Sequence, residues 1–139
     1  MASSLYDTGR EGFLAGEIDW DTAVIKCALV RGYTFSAAHK FVSDLGGTAV
    51  ATSAALATKT VISGVADAAD VTFTAVASGA PIPAIVVFQS SAVTGGADVA
   101  ATAQRLICYI DTATGLPVTP NGQNITIAWD NGANRIFKL

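Results

Sequence analysis

Charge is scarce in this chain. Only 14 % of its 139 residues are Asp, Glu, Lys or Arg, against about 25 % in an ordinary soluble domain. So thin a charged surface is unusual for a free cytosolic enzyme and points to a surface partly covered by other copies or by a partner. Basic residues are too few and too dispersed for nucleic acid. Lys26, Arg31, Lys40, Lys59, Arg105, Arg135 and Lys138 occur singly and the formal net charge is -3, whereas phosphate binding needs a clustered Lys/Arg surface. No partner of that class is expected.

Long apolar runs are also missing, although 51 % of the residues are hydrophobic. No stretch approaches the ~20 apolar residues that span a bilayer, so no membrane partner is expected. The first residues, "MASSLYDTGREGFLAGEIDW", carry no basic leader followed by an apolar core, and no secretory signal is read there.

Metal-ligating and nucleophilic residues are rarer still. There is one histidine, His39, and there are two cysteines, Cys27 and Cys108. Without CxxC spacing or companion histidines they form no metal signature. Both cysteines fall in apolar alternations, where they read as small buried hydrophobes; a Cys27–Cys108 disulfide stays open as the alternative. His39 lacks a neighbouring nucleophile or carboxylate and reads as a surface or helix-end residue. The pairs Asp19 with Asp21, and Asp67 with Asp70, read as solvated turns or caps more cheaply than as a glycosidase pair or a cation site. No catalytic, cofactor-binding or metal-binding residues are expected. Asn124-Ile125-Thr126 matches a glycosylation acceptor, an accidental match if no secretory signal precedes it.

What is abundant is Ala and Val interleaved with Thr, Ser and Gly, a composition suited to pleated sheet. One domain is expected from the length. A short helix is permitted over residues 4–14, capped by Ser3 or Ser4 and weakened by Gly9 and Gly12. "AVIKCALVRG" alternates as a strand with Ile25, Cys27 and Leu29 on one face. "YTFSAAHKFVSDLGG" approaches helical spacing and reads as one short helix or helical turn laid over the sheet. Strands are expected in "TAVATSAA", "LATKTVISG" and "ADVTFTAV". "AIVVF", entered through Pro81 and Pro83, reads as a strand buried on both faces. In "RLICYI" the period of two sends Leu106, Cys108 and Ile110 inward and Arg105, Ile107 and Tyr109 the other way. After the turn-rich "TGLPVTPNG" a terminal hairpin is expected, with Ile125, Ile127 and Trp129 in phase, "DNG" at the turn and Ile136-Phe137 returning. Such a terminal strand would pair inside the sheet or in a neighbouring subunit. The whole reads as all-β, an antiparallel β-sandwich or jelly roll with one or two short helices.

The N-terminal segment is too apolar to hang free. Residues 1–20 are expected to form an arm or short helix that docks on a partner subunit or across the sheet, and residues 21–139 a single β-sandwich domain. The interface residues would be Leu5, Tyr6, Phe13, Leu14, Ile18 and Trp20, with Tyr6 and Trp20 as anchors. The aromatics Trp20, Trp129, Tyr6, Tyr33 and Tyr109 would serve as a carbohydrate platform only if they stood together; spread along the chain, they read as separate anchors.

The blocks "GREGFLAGEIDW", "IKCALV", "AADVTF", "RLICYIDTATGLPVTPNG" and "WDNGANRIF" resemble, in the same order and over nearly the whole chain, a family of small virion structural proteins of tailed bacteriophages. The resemblance implies a virion component, assembled in the host cytoplasm, with no catalytic set. Where the family leads one to expect aliphatic residues this chain has Cys27 and Cys108, which leaves open a link peculiar to it. The role expected on this basis is capsid decoration or cement, with the major capsid protein as partner and with self-association as a homodimer or homotrimer, where symmetry multiplies each modest contact. A tail or baseplate component, or a carbohydrate-binding adhesin module, is the alternative.

Overall fold

A computed structural model describes residues 4–139 of the chain. Its strands are β1 (Ser4–Leu5), β2 (Val24–Val30), β3 (Ala49–Thr52), β4 (Thr60–Ile62), β5 (Val65–Asp67), β6 (Val71–Phe73), β7 (Ala84–Ser91), β8 (Arg105–Ile110), β9 (Ile125–Ile127) and β10 (Phe137–Lys138). One α-helix, α1 (Asp7–Ala15), and a 3₁₀ turn at Val42–Leu45 complete the elements. All pairings are antiparallel. They build a five-stranded sheet in the order β1-β8-β7-β2-β3, a three-stranded sheet β10-β5-β4 and a two-stranded sheet β6-β9. The chain is therefore all-β with one short helix, as its composition and alternation lead one to expect.

The five-stranded sheet is covered on both faces. On one, Ile25, Cys27, Leu29, Ile85, Val87 and Ile110 share a core with Phe73, Ile127 and Phe137 from the two smaller sheets. On the other, Ala28, Val30, Val86 and Phe88 pack under Tyr6, Leu45 and the half-buried Tyr33 and Phe35. This explains why β7, the central strand, is buried at every position: a strand covered on both faces reads as a continuous apolar run. The segment 31–47 supplies the second cover, as expected, but only its Val42–Leu45 portion is helical. There the Asp44 carboxylate accepts the backbone N–H groups of Lys40 (2.7 Å) and Phe41 (3.0 Å).

Three expectations need correction. Helix α1 starts at Asp7, after Ser4 has paired with Tyr109 as part of β1; Ser4 is no cap, and Ser3 lies outside the described residues. Gly9 and Gly12, expected only to weaken the helix, are what let it lie directly on β8. A Cβ on Gly9 would stand 2.8 Å from the Ile107 carbonyl oxygen, and one on Gly12 would stand 2.5 Å from Ile18 Cδ1.

In β8 the inward set is interrupted. Val87 pairs with Cys108 and Phe88 with Leu106, so Ile107 is an extra residue in a β-bulge. Ile107 and Cys108 therefore both reach the core between the sheets, and Leu106 turns to the opposite face.

The terminal hairpin does not form. β9 pairs with β6, Ile127 opposite Val71, whereas β10 pairs with β5, Phe137 opposite Ala66. Between them Asp130 accepts the Gly132 N–H at 2.9 Å and Asn131 accepts from Arg135 at 2.8 Å. This locally stapled loop carries the chain across to a different sheet. β10 forms one edge of the three-stranded sheet, with the Leu139 N–H on the Gly64 carbonyl at 3.0 Å.

Candidate functional site

The six residues expected to dock on a partner have different environments. Tyr6 is fully buried, its N–H on the Ile107 carbonyl (3.0 Å) and its ring 5.0 Å from that of Phe35. Ile18 and Trp20 are each 4 % exposed; the indole N–H of Trp20 donates to the Asp67 carbonyl (3.2 Å) and its ring stands edge-on to Phe137 at 5.2 Å. Leu5 and Phe13 are half-buried against the same core. Leu14 alone projects, at 90 % exposure.

Within the chain, residues 4–20 thus lie across its own sheet. β1 is a strand of the main sheet, and Arg105 of β8 donates to the Thr8 carbonyl (3.1 Å) and pairs with Glu17. Three of the six candidates spend their apolar surface inside the fold, because the helix they flank is pulled down onto β8 by its glycines.

Around Leu14 the surface continues as an apolar face that periodicity did not reveal. Val61 on β4 and Leu139 beyond β10 are both more than half exposed. Two adjoining hollows share Leu139. One, of about 310 Å³, is lined by Phe13, Trp20, Val61 and Phe137, with Asp19 and Asp21 in its wall. The other, of about 380 Å³, is lined by Leu5 and Leu14, with Arg10 and Lys138 in its wall. The consecutive apolar pair Val61-Ile62 ahead of Ser63-Gly64 was the available signal. Ser63 and Gly64 both have positive φ, the signature of a tight two-residue hairpin, which leaves β4 a short strand at the end of its sheet.

The carboxyls at the first hollow influence one another. Asp19 is held below the usual carboxylate range by hydrogen bonds from Asp21 and Thr22, whereas Asp21 is pushed up by its hydrogen bond to Asp19 and by that neighbour's charge. The Lys59 ammonium nearby donates to the Ala23 carbonyl. Burial lowers its pKa, and Asp21 and Asp19 partly offset that.

A second cluster forms on the outer face of the main sheet, where the tyrosines were expected to be dispersed. Tyr33 and Phe35 lie 6.1 and 5.4 Å from the Tyr109 ring. The Tyr33 hydroxyl is within hydrogen-bond distance of the Tyr6 hydroxyl (3.0 Å) and of His39 Nδ1 (2.8 Å). Trp20 and Trp129 belong to the opposite core, so the full five-residue platform does not assemble. Burial raises the Tyr6, Tyr33 and Tyr109 hydroxyl pKa values, most of all for Tyr6.

Cys27 and Cys108 are free and buried, and burial pushes both thiols up, away from the thiolate that nucleophilic chemistry needs. Among the described residues no group of three or more His, Cys, Asp or Glu could hold a metal ion, and no helix is long and apolar enough to cross a membrane. No known protein family, no curated protein and no solved structure matches the chain.

Proposed function

We propose that the chain is a non-enzymatic structural protein of a tailed-bacteriophage virion, a decoration or cement subunit that binds the major capsid protein on the icosahedral head. The observation that carries this reading is the number of large apolar side chains left exposed, Ile62, Val93 and Val99 besides Leu14, Val61 and Leu139, on a chain with only 14 % charged residues. Exposed apolar surface of this kind marks an interaction site. The resemblance of the sequence blocks to phage virion proteins supplies the setting. A shell offers the same contact many times over, and symmetry multiplies each modest one.

The test is the number of copies per virion, measured by quantitative mass spectrometry of purified particles against the major capsid protein. A count on the order of hundreds, in simple ratio to the shell subunit, is the expected result for an icosahedral shell. A small multiple, about six or twelve, would move the protein to the tail or baseplate, and its absence from particles would overturn the virion role.

A carbohydrate-binding module is favoured by one observation, the half-buried Tyr33, Phe35 and Tyr109 cluster, because aromatic faces with a polar edge suit sugar rings. Binding to a glycan array that is lost on Tyr109→Ala, with the fold intact, would favour it over the structural role.

A further inference from the structure

We propose that the chain pairs with a second copy of itself through the face formed by Leu14, Val61 and Leu139, as a two-fold dimer in which the acidic hollow of one copy receives the basic end of the other. Three features lead there. Leu14 is 90 %, Val61 56 % and Leu139 58 % exposed, and they border adjoining hollows that share Leu139. The face is electrically polar: Asp19 and Asp21 stand at one end, Arg10 and Lys138 at the other. Finally, among the described residues no salt bridge holds Asp19 or Asp21, and the Lys59 ammonium nearby is turned to the Ala23 carbonyl, so both carboxylates are open to a cation from outside the chain.

The occupant follows from that polarity. A uniformly acidic partner would be repelled at Asp19 and Asp21, and a uniformly basic one at Arg10 and Lys138. A partner must carry the reverse arrangement of charge around an apolar centre. A second copy turned through 180° about an axis near Leu139 carries it without further requirement, since in an isologous interface residue i meets j and j meets i. Arg10 is already bonded to Asp7 at 3.1 Å, which makes Lys138 the principal donor to Asp19 and Asp21 of the other copy. Leu139 would then meet its counterpart at the axis and Leu14 would enter the other copy's acidic hollow beside Val61, removing from water the side chains that the fold itself leaves uncovered.

The dimer goes beyond the proposed role and requires nothing of the capsid. Sedimentation equilibrium of the purified full chain over a concentration series is the test, with thermal melting to confirm that each variant folds. The parent should form a reversible dimer that weakens as salt is raised. Leu14→Gln and Lys138→Glu should each raise the dissociation constant by about tenfold or more, the dimer containing each contact twice. Asp21→Lys should do the same.

The decisive sample is an equimolar mixture of the Lys138→Glu and Asp21→Lys proteins. In that mixture Glu meets Lys at one end and Asp meets Lys at the other, so the dimer should return. A parent that stays monomeric at every attainable concentration, a trimer, or a mixture no better associated than its components would overturn the proposal. Should Asp21→Lys fail to fold, Lys138→Glu combined with raised salt decides the same question: a dimer indifferent to both is not held by this face. A monomer that is nonetheless abundant on particles would remove the dimer and leave the virion role, and a charge-paired dimer missing from particles would do the reverse.

Discussion

Cys27 and Cys108 lie in one row on one face of the five-stranded sheet, with Val87 between them: Cys27 pairs with Val87, and Val87 with Cys108. Two strand spacings put their Cα atoms roughly 9–10 Å apart, beyond the ~7 Å at which a disulfide can close without backbone movement. The disulfide left open by the sequence is therefore absent for a reason of topology, because the intervening strand holds the two thiols apart.

That placement predicts the thiols' chemistry. Both cysteines are fully buried and kept protonated, so a thiol reagent should label neither in the native protein at neutral pH and both after denaturation. Reductant should leave the melting temperature unchanged. Prompt labelling of one thiol per native chain would show that the core opens around β2 or β8.

Gly9→Ala separates two opposed effects. In a helix free of neighbours alanine would stabilise by about 1 kcal/mol. Here the new methyl would stand 2.8 Å from the backbone oxygen of Ile107, and backbone cannot move aside as a side chain does. A net loss of about 1–3 kcal/mol is expected from overpacking, read from chemical denaturation. A gain in stability would mean that α1 stands off β8.

Trp129 is 5 % exposed, donates its indole N–H to the Ala69 carbonyl at 3.0 Å and donates its backbone N–H to the Asp70 carboxylate at 3.1 Å. Trp129→Ala should cost ~3–5 kcal/mol. Trp129→Phe should cost less, since the ring volume largely remains and the hydrogen bond is lost. A melting temperature within a degree or so of the parent for the alanine variant would place the indole outside the core.

Asp44 gives a pH signature. Hydrogen bonds from the backbone of Phe41 and Lys40 hold its carboxyl below the usual range. A folded-state pKa below the unfolded one means the stabilisation is present above the unfolded value, ~3.9, and is lost as pH falls through the folded value. Asp44→Ala should therefore lower the melting temperature at neutral pH, and the gap between variant and parent should shrink as the pH is taken down through the folded value. An equal gap at every pH would show that the carboxylate's charge is not what secures the 3₁₀ turn.

The elements legible in the sequence were those whose signal is local. Ile25, Cys27 and Leu29 in β2 alternate by twos and do share one core, and the prolines at 81 and 83 stand just before β7 begins. What escaped depended on contacts distant in the chain. The bulge at Ile107 exists only in relation to β7, so Leu106 could not be assigned its face from β8 alone. The fate of Ile136 and Phe137 was set by the stapled loop before them and by the open edge of β5, and neither is visible as a period. At the candidate site, the apolar count of residues 5–20 was informative but not which side chains the fold would use internally. Leu14 emerged as exposed because Gly9 and Gly12, one turn apart, fix which side of α1 faces the sheet.

Phe137 lies 5.5 Å from Phe13 and 5.2 Å from Trp20, so segments more than a hundred residues apart in sequence close the core against one another. On the ribosome, where emergence is vectorial, helix α1 and Trp20 must wait for their packing partner until the segment around Phe137 leaves the exit tunnel. A nascent chain, or one terminated before residue 137, would display Trp20 and Phe13 to chaperones and proteases. Synthesis through β10 and closure of the fold are thereby coupled.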